Sequence, residues 1–221
     1  AGVGADEGPV VAADGNAGFA GTVTANELGD TTSAIIDASL VTAGTVTVRA
    51  GEAAAGRTAS IQSLAGGLSA SKGYSGALAM GVNTINTVRT AQVTGSNLVV
   101  SNAVTVQANA EGSIQTISAT LAGGKDYTAA GSFSVNTLNA DIYALVDSTN
   151  DINGQNSLRG TATSLKVLAS ATGEIEALAG AVSGSATGAI GGALAINRMG
   201  EGDAQHRVRA HLQDIQLLAP A

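Results

Sequence analysis

Four five-residue segments, each closing on asparagine, recur along this chain: Thr22-Val23-Thr24-Ala25-Asn26, Ala79-Met80-Gly81-Val82-Asn83, Ser132-Phe133-Ser134-Val135-Asn136 and Ala193-Leu194-Ala195-Ile196-Asn197. Their asparagines stand 57, 53 and 61 residues apart. Eight residues past each of the first three comes a second marker: Ala34-Ile35-Ile36-Asp37, Ala91-Gln92-Val93-Thr94 and Ala144-Leu145-Val146-Asp147. Its fourth copy, Ala210-His211-Leu212-Gln213, lies thirteen residues past Asn197, which implies a five-residue insertion. A third marker is Val46-Thr47-Val48-Arg49-Ala50, Val104-Thr105-Val106-Gln107-Ala108 and Leu165-Lys166-Val167-Leu168-Ala169. A fourth is Ser60-Ile61-Gln62-Ser63-Leu64, Ser113-Ile114-Gln115-Thr116-Ile117 and Gly173-Glu174-Ile175-Glu176-Ala177. A chain that repeats itself in this way builds a stack of like units, because such a unit buries its apolar face only against its neighbours. The boundaries read as partial repeats over 1–29 and 204–221 around full repeats 30–86, 87–139 and 140–203, all within one segment spanning 1–221.

Within the markers apolar residues alternate with polar or tiny ones, as in Val46/Val48 and Val104/Val106, the period of strands with one face inward. Turn formers lie between them: Thr42-Ala43-Gly44, Gly51, Gly66-Gly67, Gly123-Gly124 and Asn150 to Gly154. The expected class is therefore all-β, with four short strands per repeat. Fifty-odd residues are too many for one coil of a β-solenoid, so two or three coils per repeat are expected. A β-sandwich array and a β-propeller are the alternatives. Sandwiches want bulkier inner faces, and propeller blades bring recurring aromatic signatures.

The chain has no Trp or Cys, two Phe and three Tyr, yet 44% of its 221 residues are hydrophobic because Ala, Val, Ile and Leu abound. Its core is expected to be thin. Charged residues make up 12%, the opposite of the composition that keeps a chain unfolded. With a net charge of −7 and its Arg and Lys scattered singly, it lacks the basic patch of a nucleic-acid binder. The absence of Cys removes disulfides and thiolate chemistry, and suits a large secreted protein that stays uncrosslinked before export. Neither a signal peptide nor an initiator Met is present, so the chain reads as a piece of a longer one.

Taken together, the Ala-x-Ile, Val-Thr-Val-x-Ala, Gly-rich and Val-Asn elements resemble repeats of the very large adhesins and autotransporter passengers of Gram-negative bacteria, of the filamentous-haemagglutinin type. That resemblance covers nearly the whole chain. It implies a right-handed parallel β-helix exported to the bacterial cell surface, a structural shaft or filament segment of an adhesin. The partners it implies are neighbouring repeats of the same chain and a host or cell-surface ligand. Open sheet edges at both ends add an expectation of end-to-end self-association, and lateral self-association into fibres is the companion case.

Candidate sites are few. Asn26, Asn83, Asn136 and Asn197 are expected to stack at a turn, where Asn tolerates left-handed backbone and its amide bonds to the copies above and below. The uncharged stretch Ala177–Asn197 carries Gly180, Gly184, Gly188 and Gly192 at the spacing of a membrane-helix packing motif. Its Gly, Ala, Ser and Thr content is too weakly apolar for lipid, and its alignment with other copies points to strands instead. His206 and His211 lack a metal-protease frame, and Gly73-Tyr74-Ser75-Gly76-Ala77 only approaches the Gly-x-Ser-x-Gly nucleophile elbow. Asp37 with Asp147, and Glu174 with Glu176, are the acid pairs, and strand alternation places the latter two on a solvent face. No catalytic, metal or cofactor residue is assigned, no cofactor and no membrane span is expected, and the chain is read as a non-enzymatic scaffold.

Overall fold

A computed structural model describes residues 2–6, 10–13, 15–51, 59–147, 158–159, 162–200 and 208–213. The chain is all-β over these residues. Its strands are β1 (Gly2–Asp6), β2 (Val10–Ala13), β3 (Ala17–Asp37), β4 (Leu40–Ala50), β5 (Ala59–Ser71), β6 (Tyr74–Thr94), β7 (Asn97–Gly123), β8 (Tyr127–Asp147), β9 (Leu158–Arg159), β10 (Ser164–Gly184), β11 (Gly188–Met199) and β12 (Val208–Gln213). All described pairings are parallel.

The strands divide between two sheets, and the chain passes from one to the other and back. One sheet runs β1-β5-β7-β10, with β2 beside β5 and both β4 and β9 beside β7; the other runs β11-β8-β6-β3, with β12 beside β8. Because β4 pairs with the first part of β7 and β5 with the last part, the two act as one interrupted strand. β11 and β12 share β8 in the same way.

Each repeat therefore passes once through each sheet. The first two markers fall within one long strand, as Ala79–Asn83 and Ala91–Thr94 do in β6, and the other two within the next, as in β7. Two long strands replace the four short ones expected, and one pass per repeat replaces two or three coils. The cause is that strands continue through supposed turns, with alternation kept at Gly66 and Gly67 and slipping by one residue at Gly44. Gly66 and Gly67 lie inside β5, and Gly44 sits at a register irregularity within β4.

Marker alignment and pairing register agree closely. Asn26 pairs with Asn83, Asn83 with Asn136 and Asn197 with Asn136, while Ala34, Ala91, Ala144 and Ala210 share one row. One quoted segment is displaced: Glu174, not Gly173, stands beside Ser113, which brings Ile175 next to Ile114. Residues 52–58, the segment 201–207 within which the insertion before Ala210 falls, and the turn formers Asn150 to Gly154 lie outside the described residues.

Reversals are tight and stack on one another. At one end Ala38 has φ 44°, in the place where the next repeat puts Gly95 with φ 52°, and the amides of Ala38 and Gly95 donate to Thr94 and Asp147 carbonyls. At the other end Asp126 N donates to Gly73 O and Gly188 N to Asp126 O. There a Cβ on Gly124 would stand 2.6 Å from Gly73 O, so successive turns lie nearly in contact.

The space between the sheets changes character from one end to the other. Near the Gly95 reversal it is filled by Val93, Leu98, Val100, Val104, Val106, Ile142, Val146 and their neighbours. Midway come Ile61, Ile85, Ile114 and Leu138. Near the Gly73 and Gly124 reversals the apolar filling shrinks to Ala77, Ala122 and Ala130, among buried Thr22, Ser63, Ser69, Ser75, Ser118, Thr120, Ser132 and Ser134. The gap is narrow there, since a methyl on Gly81 would lie 3.3 Å from Thr116 Cγ2, and one on Gly191 3.2 Å from Ala181 O. Only the smallest side chains fit.

Candidate functional site

The four asparagines form one hydrogen-bonded row. Asn26 Nδ2 donates to Asn83 Oδ1, Asn83 Nδ2 to Asn136 Oδ1 and Asn136 Nδ2 to Asn197 Oδ1, each at 2.9 Å. From the facing sheet Thr116 Oγ1 accepts from Asn83 Nδ2 and donates to Asn136 Oδ1, both at 2.8 Å. Asn83 and Asn136 are completely buried. The row lies inside β3, β6, β8 and β11 and not at a turn, and among the described residues Ala38 is the only non-glycine with positive φ. Extended backbone serves here because residues directly beside one another in parallel strands are about 4.8 Å apart, a span two amide side chains bridge.

Sequence reasoning missed other rows carrying the same signal, identical residue types at repeat spacing. Asn139 Nδ2 donates to Asn86 Oδ1 and Asn86 Nδ2 to Glu27 Oε1. Gln62 Nε2 donates to Gln115 Oε1, and Gln115 Nε2 to Glu176 Oε2 at 3.0 Å. Glu176 thus ends an outer amide row, and Glu174 is exposed beside it. Asp37 accepts from Thr94 Oγ1 at 2.6 Å, and Asp147 pairs with Thr94 in the next strand, so these acids border one threonine row.

Among the described residues Arg89 is the buried charge. Its guanidinium donates to Asp30 O, Val88 O and the Asp30 carboxylate, with Arg89 8% and Asp30 40% exposed at the side chain. Because Asp30 keeps access to water, removing the cation strands no buried anion. Arg89→Met is expected to change stability by no more than about 1 kcal/mol. Urea unfolding at low and high salt checks this; a loss well above that figure would mean that the guanidinium holds the fold together.

The outer faces near the Gly73 and Gly124 reversals are apolar. On the β5-β7-β10 sheet the row Leu64, Ile117, Leu178 is followed along the strands by Gly66, Ala119, Gly180, then by Leu68, Leu121, Val182, then by Ala70, Gly123, Gly184. The large residues are 38 to 65% exposed. On the other sheet Phe19, Val23, Leu78, Ile190 and Leu194 are more than half exposed. Tyr74 and Tyr127 stack beside Phe19 with ring centroids 5.9 Å apart and planes at 12°, lining a shallow apolar recess with Ile190. In this half the usual arrangement is reversed, with hydroxyls between the sheets and bulky apolar groups outside them.

The catalytic candidates come apart. Ser75 is buried and donates to Ser69 Oγ at 2.8 Å, a hydroxyl and not a base. Ala177–Asn197 forms the end of β10, a turn and β11. His211 is an exposed residue of β12, and His206 lies outside the described residues. Among the described residues no three of His, Cys, Asp and Glu gather into a group that would hold a metal ion, and no helix is long and apolar enough to cross a membrane. Comparison with protein families, with curated proteins and with solved structures finds no match for this chain.

Proposed function

We propose that this chain is a structural segment of a large extracellular bacterial surface protein, a right-handed parallel β-solenoid in which the repeats act as a stiff scaffold. The observation that carries this reading is the pairing register: each repeat adds one strand to each sheet, at steps of 57, 53 and 61 residues, with like residues in rows. Backbone bonds then run along the axis and asparagine rows hold neighbouring repeats in step. The filamentous-haemagglutinin type of adhesin remains the family whose repeats the chain resembles, and placement at the cell surface follows from that resemblance.

The dimensions alter what kind of shaft this is. A strand of 21 residues is about 70 Å long, while each repeat advances the stack by only about 4.8 Å. The scaffold is a broad ribbon, better suited to stiffness and surface area than to reach per residue. Electron micrographs of the longer parent protein are expected to show a flat filament about 70 Å across its wide dimension. Globular particles, or a thread only one short coil wide, would end this reading.

A second reading has an observation of its own. The Tyr74 and Tyr127 stack beside Phe19 is an aromatic platform of the sort that meets sugar rings or a partner's apolar side chain, so a face of the solenoid would itself bind glycan or protein.

A further inference from the structure

The outer face of the β5-β7-β10 sheet is a set of ridges and grooves. Leu64-Ile117-Leu178 and Leu68-Leu121-Val182 are ridges, and Gly66-Ala119-Gly180 is the groove between them. Among the described residues nothing fills that groove at Gly180, where a Cβ would have no heavy atom within 4 Å. Outward residues repeat about every 6.8 Å along a strand, so a matching ridge displaced by one row fits between these two. A fluid hydrocarbon surface needs no such corrugation, whereas a second sheet face does.

We propose that this face docks on the same face of a second copy of the chain, ridge into groove, with the strands of the two copies antiparallel. The inference deepens the scaffold reading by naming the surface through which solenoids associate side by side. Charge at the borders favours the antiparallel arrangement. The row ending in Glu176 bounds the apolar face on one side, and the reversal carrying Lys72, Lys125 and Asp126 bounds it on the other. A two-fold rotation brings Glu176 of one copy towards Lys125 of the other.

The area sets the strength. Four rows on three strands cover roughly 400 Å² in projection, about half of what a stable interface needs from each partner. Each further repeat adds about 130 Å². A pair of chains this short is therefore expected to associate measurably but weakly, and longer arrays tightly.

Sedimentation velocity of the full chain, from micromolar to near-millimolar concentration, tests the proposal, with Leu121→Ser, Ala119→Leu and Gly180→Leu as variants and circular dichroism reporting that each retains its strands. Leu121→Ser removes a ridge and is expected to weaken association. The two groove variants add apolar surface yet fill the groove, and each is expected to weaken association tenfold or more. Gly180→Leu projects into open space, so the fold tolerates it. Association unchanged or tightened by the groove variants would overturn the proposal, since pairing through open sheet edges or unspecific apolar contact predicts that result. So would a monomer at every concentration, or a monomer in buffer that floats with phosphatidylcholine vesicles. None of these outcomes bears on the width of the parent filament, so the two readings fail separately.

Discussion

Replacing Asn136 with alanine is expected to cost about 3 kcal/mol of stability, the sum of three hydrogen bonds at about 1 kcal/mol each. Asn136 accepts from Asn83 Nδ2 and Thr116 Oγ1 and donates to Asn197 Oδ1. Its loss leaves the Thr116 hydroxyl without an acceptor in a fully enclosed place, and the asymmetry of hydrogen bonding makes an orphaned buried group the expensive outcome. Asn26 supplies the control. It makes one bond in the row and is only partly buried, so Asn26→Ala is expected to cost about 1 kcal/mol or less. Chemical denaturation of both variants checks the contrast. Equal small losses would show that the row is ornamental, and that packing of Leu138 and the nearby isoleucines sets the register instead.

Ser134→Leu is expected to destabilise by a similar amount, about 3 kcal/mol, although it replaces a polar residue in the interior with an apolar one. Ser134 has no exposed surface, and its Oγ has no hydrogen-bond partner among the described residues. It sits in the row of Gly81 and Ala195, opposite Thr116, where a single methyl on Gly81 would already press on Thr116 Cγ2. Three extra carbons force the sheets apart or the backbone out of line, and separation breaks the close contact that the small residues make possible. Ser134→Ala keeps the volume and loses no bond, so its effect is expected to stay within about 0.5 kcal/mol. A thermal melt separates the cases: Leu is expected to lower the midpoint by roughly 6 to 12 °C, and Ala to leave it nearly unchanged. A raised midpoint for Leu would mean that this half of the interior is wide and merely underfilled.

Both expectations turn on the contrast between the two halves of the molecule. At the Gly95 end, Val104, Val106, Ile142 and Val146 fill the interior as in any sheet packing. At the Gly124 end the same alternation is inverted, and Leu78, Leu121, Leu178 and Ile190 stand outside. Exposed apolar groups on two opposite faces are costly in water unless something covers them. A narrow interior leaves them no other place, and the lateral docking proposed above would give them one.

Much of the architecture was legible in the chain before any coordinates. Rows such as Asn26, Asn83, Asn136 and Asn197, or Ala34, Ala91, Ala144 and Ala210, could be aligned from spacing alone, including the five-residue insertion before Ala210. Parallel stacking puts equivalent residues of successive repeats side by side, so sequence similarity between copies is itself the register. The Asn86–Asn139 and Gln62–Gln115 rows carry the same signal less visibly, the first lying outside the markers and the second inside one.

What spacing could not decide was the length of the strands and which face of each turns inward. Gly66 and Gly67 read as a turn, yet they continue β5, Gly66 facing outward in the groove row and Gly67 facing the partner sheet, where a Cβ would lie 3.4 Å from Leu78 O. Alternation with a period of two is the same pattern whichever face is buried. Along β6 it reads Tyr74, Gly76, Leu78, Met80 on one side and Ser75, Ala77, Ala79, Gly81 on the other, and hydrophobicity alone would turn the first set inward. The tertiary structure turns it outward, because the distance between two sheets joined by short reversals at Gly73 and Gly124 admits only the second. Sequence determined the repeat, its register and its β character; the width of the gap between the sheets decided what is inside.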